Sequence, residues 1–158
     1  MIARPLTVAA GLLMLAGCSF GSPTTFGIDS ASVDATYRCP VGASNEHYVL
    51  HGSIDVHNGT TKAVTISGVD ATLTLAAAKG GWLQKVGDKY DAGNITFTPA
   101  EVGPGSSAKL DVIIPSACTG RTANSPVASA DYVVGFTLIT SAGTFRVDST
   151  GRHRISTA

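Results

Sequence analysis

The chain has 158 residues, 44% of them hydrophobic and only 14% charged, with 11 basic residues against 11 acidic ones. A formal charge of zero supplies no positive field to gather a polyanion, so a nucleic-acid partner is not expected. Gly, Thr, Ser, Ala and Val are abundant and no long run of helix-favouring Glu, Lys, Leu and Gln occurs, which points to strands and turns.

The first eighteen residues divide into three parts. Arg4 gives a short positive start, Leu6 to Leu15 form an apolar stretch, and Leu15-Ala16-Gly17-Cys18 closes it. The stretch is too short for a permanent membrane span, which needs roughly 20 residues, but it suits the apolar region of a signal peptide. The four closing residues resemble the lipobox of bacterial lipoproteins. That resemblance implies a leader of residues 1–17, cut so that Cys18 becomes the mature N-terminus with a diacylglyceryl group on its thiol. Two or three acyl chains bind a bilayer stably where one does not. The expected partner is therefore a membrane, reached through lipid on Cys18. The expected location is a cell membrane or outer membrane, outside the cytoplasm; Ser19 is compatible with sorting to an outer membrane and does not decide between the two. Once the leader is gone about 140 residues remain, enough for one hydrophobic core.

Residues 18–30 are small and polar with one proline and two glycines, and are read as a flexible tether. The domain proper is expected over 31–158. Val33 to Arg38 is a short predicted strand. From Tyr48 to His57 the chain alternates, with Leu50, Gly52, Ile54 and Val56 on one face and Val49, His51, Ser53, Asp55 and His57 on the other, the signature of a half-buried strand. Asn58-Gly59 is a turn pair, followed by predicted strands over 62–67 and 69–76. Gly80-Gly81 and Gly93 bracket a polar connection. Further strands are predicted over 95–98, 108–115, 131–140 and 144–148, the last two as a hairpin around Ser141-Ala142-Gly143. Many short strands without a helical period predict an all-β antiparallel sandwich of about 7–9 strands.

The cysteines are Cys18, Cys39 and Cys118. With Cys18 given to lipid, Cys39 and Cys118 remain as a pair, which in an oxidising compartment is expected to form a disulfide closing about 80 residues. A redox or metal-ligand pair is the alternative, and no CxxC spacing or adjacent histidine favours it.

The stretch from Tyr48 to Pro115 resembles bacterial immunoglobulin-like domains, in a strand ending at Asn58, then Val64-Thr65-Ile66, then Val102-Gly103-Pro104-Gly105 before Leu110-Asp111-Val112. The resemblance implies an immunoglobulin-like sandwich. In that fold the disulfide joins central strands and packs on a tryptophan, whereas Cys39 precedes the first long strand and Cys118 follows the strand that ends at residue 115. The pair is therefore expected to staple one end of the sandwich.

Residues with chemical potential are few. His51, Asp55 and His57 project from one strand face, on which alternate residues lie about 6–7 Å apart; they are the candidate metal ligands in the alternative reading, and a solvated polar face gives the same pattern. No G-x-S-x-G elbow, phosphate loop, nucleotide fingerprint or haem-attachment motif occurs, so neither an enzyme nor a cofactor is expected. The connection from Lys79 to Asn94 holds the sole tryptophan, Trp82, with Lys85, Lys89 and Tyr90, and is the candidate partner-binding loop. Its alternative is a Trp82 packed into the core beneath solvated lysines. Arg121 lies in a second polar loop, over 119–130. The expected function is a lipid-anchored, non-catalytic interaction or structural module for which another envelope protein is the candidate partner. A metal- or small-ligand-binding accessory lipoprotein is the alternative.

Overall fold

The computed structural model describes residues 25–40, 42–43, 45–93, 95–118 and 128–157. Cys18, the tether as far as residue 24, and Arg121 with most of its loop lie outside them.

The chain is all-β, as its composition predicts. Its strands, in order, are β1 (Phe26–Val33), β2 (Thr36–Cys39), β3 (Glu46–Asn58), β4 (Val64–Lys79), β5 (Lys89–Asp91), β6 (Thr96–Thr98), β7 (Glu101–Val102), β8 (Ser106–Cys118), β9 (Ser129–Thr140), β10 (Gly143–Asp148) and β11 (His153–Thr157). They form two sheets. The front sheet runs β1-β3-β8-β6; the back sheet runs β2-β11-β9-β4-β5, with β10 also on β9 and β7 also on β4. Every pairing is antiparallel except β2 with β11.

Period-2 alternation builds the core. Leu50, Ile54 and Val56 of β3 and Leu110, Val112 and Ile114 of β8 point inward from the front sheet, and Val69, Ala71, Leu73 and Leu75 of β4 meet them with Tyr132, Val134, Phe136 and Leu138 of β9. Each large apolar side chain so buried contributes about 1.5–3 kcal/mol. Phe26 and Phe145 close one side edge-to-face, their ring centroids 5.1 Å apart.

Four expectations change. Residues 26–30, assigned from sequence to the tether, are the first half of β1, paired with β3 from Phe26↔Asn58. Their polar composition hid a strand that uses its backbone at a sheet edge and buries mainly Phe26 and Ala31. The predicted strand over 33–38 is two strands in different sheets: Asp34 donates its N–H to the His51 carbonyl in front, while the Ala35 carbonyl accepts from Arg154 behind. The predicted strands over 62–67 and 69–76 are one strand, β4. A bulge between Ile66 and Gly68 inserts a residue and flips the buried parity from Val64 and Ile66 to Val69, Ala71 and Leu73. Eleven strands occur among the described residues, more than expected, because β5, β7 and β11 are too short to show alternation. The Asn58-Gly59 turn carries the chain from front to back sheet.

Cys39 and Cys118 form a disulfide across 79 residues, with their Cα atoms 5.8 Å apart. It joins the end of β2 in the back sheet to the end of β8 in the front sheet, the expected staple at one end of the sandwich.

Candidate functional site

The histidine-bearing strand lies on the outer face of the front sheet. Asp34 Oδ2 accepts from the His51 backbone N–H at 3.1 Å and lies 3.2 Å from His51 Nδ1. Asp55 accepts from Ser30 Oγ at 2.7 Å, and His57 Nδ1 meets Asp29 Oδ1 at 2.6 Å. Each candidate ligand is thus satisfied sideways, by β1 or the residue just after it, rather than turned toward the other two. Among the described residues no three His, Cys, Asp or Glu side chains come together as a metal site. The alternative ligand set His51, Asp55 and His57 is therefore not assembled, because alternate residues on a straight strand stay about 6–7 Å apart.

The candidate partner-binding loop divides into two kinds of residue. Trp82 is half-buried against the core, and its indole N–H donates to Tyr132 Oη at 3.3 Å and Gln84 Oε1 at 3.4 Å. Tyr132 Oη also donates to Gln84 Oε1. Asp88 turns the loop back, accepting the Lys85 backbone N–H at 2.8 Å on its carboxylate and the Leu75 N–H at 2.9 Å on its carbonyl. Lys85 and Lys89 are exposed, as is Tyr90, which sits opposite Leu73 in the short β5–β4 pairing. Leu83 and Val86 project beside them, 64% and 66% exposed. Tyr90, Gln84 and Tyr132 rim a cleft of about 80 Å³ floored by Leu73 and Ile155.

A polar network that the sequence did not disclose lies between the sheets. His153, only 1% exposed, places Nδ1 2.7 Å from the Asp34 carbonyl and Nε2 2.8 Å from Tyr48 Oη. A carbonyl only accepts, so Nδ1 carries the proton and Nε2 accepts from the tyrosine. Burial pushes the His153 pKa below its ordinary value, partly offset by the Asp34 carbonyl. Burial likewise pushes the Tyr48 hydroxyl up to about 12. Both groups therefore stay neutral at pH 7. The only sequence signal was the alternation of His153, Ile155 and Thr157, all buried, in a strand too short and polar to read.

The outer face of the back sheet carries a bidentate ion pair, Arg154 Nε to Asp131 Oδ1 at 2.6 Å and Nη2 to Oδ2 at 2.9 Å. The Arg154 guanidinium holds the Asp131 carboxyl below its usual range, and Arg152 and Lys79 pull the same way.

The fold and these sites define a class: a two-sheet β-sandwich stapled by a disulfide, in which the buried side-chain polar atoms of the described residues are hydrogen-bonded. No family model matches the chain, and no curated protein does. Among solved structures it is similar to a PapD-like domain of human CEP192, at 13% identity and TM-score 0.34 over 97% of this chain and 96% of that one. It is similar also to AggA, the major subunit of aggregative adherence fimbriae type I from Escherichia coli, at 10% identity and TM-score 0.35 over 84% and 95% of the two chains. The CooA pilin subunit of enterotoxigenic Escherichia coli shares 12% identity at TM-score 0.26 over 82% and 98%. Likenesses of this order bear on neither activity nor partners.

Proposed function

We propose that the chain is an exported lipoprotein held at a membrane surface by lipid on Cys18, whose sandwich is a non-catalytic interaction or structural module of the cell envelope. The observation that carries this is the Cys39–Cys118 bridge. It suits an oxidising compartment and leaves Cys18, at the end of the lipobox, as the odd cysteine. The first described strand begins at Phe26, eight residues beyond Cys18, so the intervening chain reaches at most about 29 Å fully extended. A short leash of that kind keeps the domain close to the bilayer. The non-catalytic reading rests on the residues above: the histidines of the strand face are paired sideways, and His153 is sealed in the core.

Mass spectrometry of the membrane fraction tests the anchor. The expected result is a mature N-terminus at Cys18 carrying diacylglyceryl, and release of Cys18→Ser from the lipidated pool. A mature N-terminus elsewhere, or an unmodified Cys18 thiol, overturns it.

A further inference from the structure

The balanced charge of the chain is not spread evenly over the fold. Among the described residues, the outer face of the front sheet carries Asp29, Asp34, Asp55 and Asp111 with one lysine, Lys109; Asp29 and Asp34 stand against His57 and His51. At the end of this face nearer the disulfide two large apolar residues are exposed, Val49 by 49% and Ile113 by 42%. Val49 lies opposite Pro115 and Ile113 opposite His51, so the three apolar side chains are neighbours. An exposed apolar patch that adjoins charged surface is suited to contact with another macromolecule.

One half of the opposite face has the opposite sign, while the rest of it carries Asp70 and Asp148 beside Arg146. Around the stapled end of the back sheet stand Arg38, Lys79, Arg152 and Arg154, all exposed, with Asp131 as the one carboxylate among them. Asp131 is already engaged by Arg154. Between the cations the residues are small, and an open concavity of about 360 Å³ lies between Ala35, Thr36 and the two arginines 152 and 154.

We propose that the acidic face of the front sheet, with the apolar patch at its end, docks on the basic half of the back sheet of a second copy of this chain. Charge complementarity selects the occupant: with its charges nearly balanced the molecule has no strong long-range field to collect a polyanion or polycation, yet the acidic face and the basic half are counterparts at contact distance. Val49, Ile113 and Pro115 supply the apolar area that surface charges alone lack. The two faces lie on opposite sides of the sandwich, so the contact is heterologous: each copy keeps one face of each kind free, and copies add in a row or close as a ring. The inference deepens the reading as an interaction module by naming its partner. It does not depend on the lipid anchor.

The test is sedimentation velocity on the full chain in one nonionic detergent at pH 8, comparing about 20 mM with about 500 mM salt, which shortens the screening length from roughly 20 Å to 4 Å. Three proteins are compared: the parent, Arg38→Glu with Arg152→Glu, and Asp55→Lys with Asp111→Lys. Detergent and anchor are common to all, so any anchor-driven clustering cancels. The parent should associate with rising concentration at low salt, and about tenfold or more weakly at high salt; each reversed protein alone should lose association by a similar factor, and mixing the two should restore it. Asp55→Asn with Asp111→Asn, which keeps an acceptor for Ser30, should weaken association in the same direction. A parent that stays monomeric at low salt, reversed proteins that associate like the parent, or reversed proteins that fail to find each other on mixing overturn the proposal. Monomers that bind dextran sulfate through Arg38 and Arg152 also overturn it, and assign the basic half to a polyanion. An unmodified Cys18 in the same preparations counts against the anchor alone.

Discussion

Tyr48 of the front sheet donates its hydroxyl to Nε2 of His153 in the back sheet, at 2.8 Å, and so ties the two layers together through a neutral imidazole. The ring of Tyr37 stacks on Tyr48, centroids 3.9 Å apart and 8° from parallel, which packs the pair on its other side.

A pH dependence follows from this contact. The folded pKa of His153 lies below its unfolded value near 6.5, so as pH falls through that value the unfolded chain binds a proton that the folded one refuses. Stability from this group is complete above about pH 6.5 and declines on acidification, by at most about 1.4 kcal/mol per pH unit, until the folded pKa is reached. Tyr48 acts at the other extreme: its pKa, raised from 10.0 to about 12, keeps a proton on the folded chain, and stability declines as pH climbs through that window. Urea midpoints for the parent and His153→Gln between pH 5 and 8 isolate the histidine. The parent should lose stability toward pH 5 more steeply than the variant; parallel curves contradict the assignment. Tyr48→Phe should cost about 1–2 kcal/mol at pH 7.

The disulfide should contribute on a larger scale. Closing a loop of 79 residues restricts the unfolded chain by about 4 kcal/mol in the chain-entropy model. Cys39→Ala with Cys118→Ala should therefore unfold at markedly lower urea, with a steeper denaturant slope because its unfolded state is more expanded. Unchanged midpoints with and without reductant would show that the bridge contributes nothing.

The strands that were readable in advance are those whose inward face is continuous, such as Leu50, Ile54 and Val56 or Tyr132 to Leu138. Where the backbone breaks its own period, the pattern misleads. The bulge at Ile66/Gly68 made one strand look like two, and the crossing at Asp34-Ala35 made two look like one. Among the candidate site residues, the strand face was readable as a face: His51, Asp55 and His57 do share it. Their partners were not, since Asp29, Ser30 and Asp34 arrive from or beside a strand that composition disguised as tether. His153 was invisible because burial of a histidine depends on a tyrosine 105 residues away.

Trp82 and the lysines of its loop should respond in opposite ways. Trp82 fills space against the core and bonds Tyr132, so Trp82→Ala should cost about 2–3 kcal/mol. Lys85→Ala and Lys89→Ala remove only solvated charge and should stay within about 0.5 kcal/mol of the parent. As the sole tryptophan, Trp82 reports the same loop by fluorescence, its emission shifting red when the packing is lost. A Trp82→Ala protein as stable as the parent would return this residue to the exposed surface of the loop.

Asn58 makes the sharpest demand on side-chain chemistry. It is 1% exposed, at the end of β3 where the chain leaves for the back sheet. Its Nδ2 donates toward the carbonyls of Lys62 at 2.8 Å, Val102 at 2.9 Å and Gly103 at 3.0 Å, while Oδ1 accepts from the Thr60 N–H at 3.0 Å and Thr60 Oγ1 at 2.7 Å. One carboxamide thus holds the turn and pins it to the segment that enters β8. Asn58→Ala leaves these groups without their partner in a buried corner and should cost about 2–4 kcal/mol. Asn58→Asp keeps the shape but turns a carboxylate oxygen on three carbonyls, and at pH 7 should cost more than alanine, since an unpaired buried charge is harder to hold than a missing bond. Protonation restores one donor. The introduced carboxyl should therefore bind its proton more tightly folded than unfolded, and Asn58→Asp should recover stability relative to Asn58→Ala as pH falls toward 5. Equal urea midpoints for the two variants across that range would mean that solvent, rather than the three carbonyls, surrounds position 58.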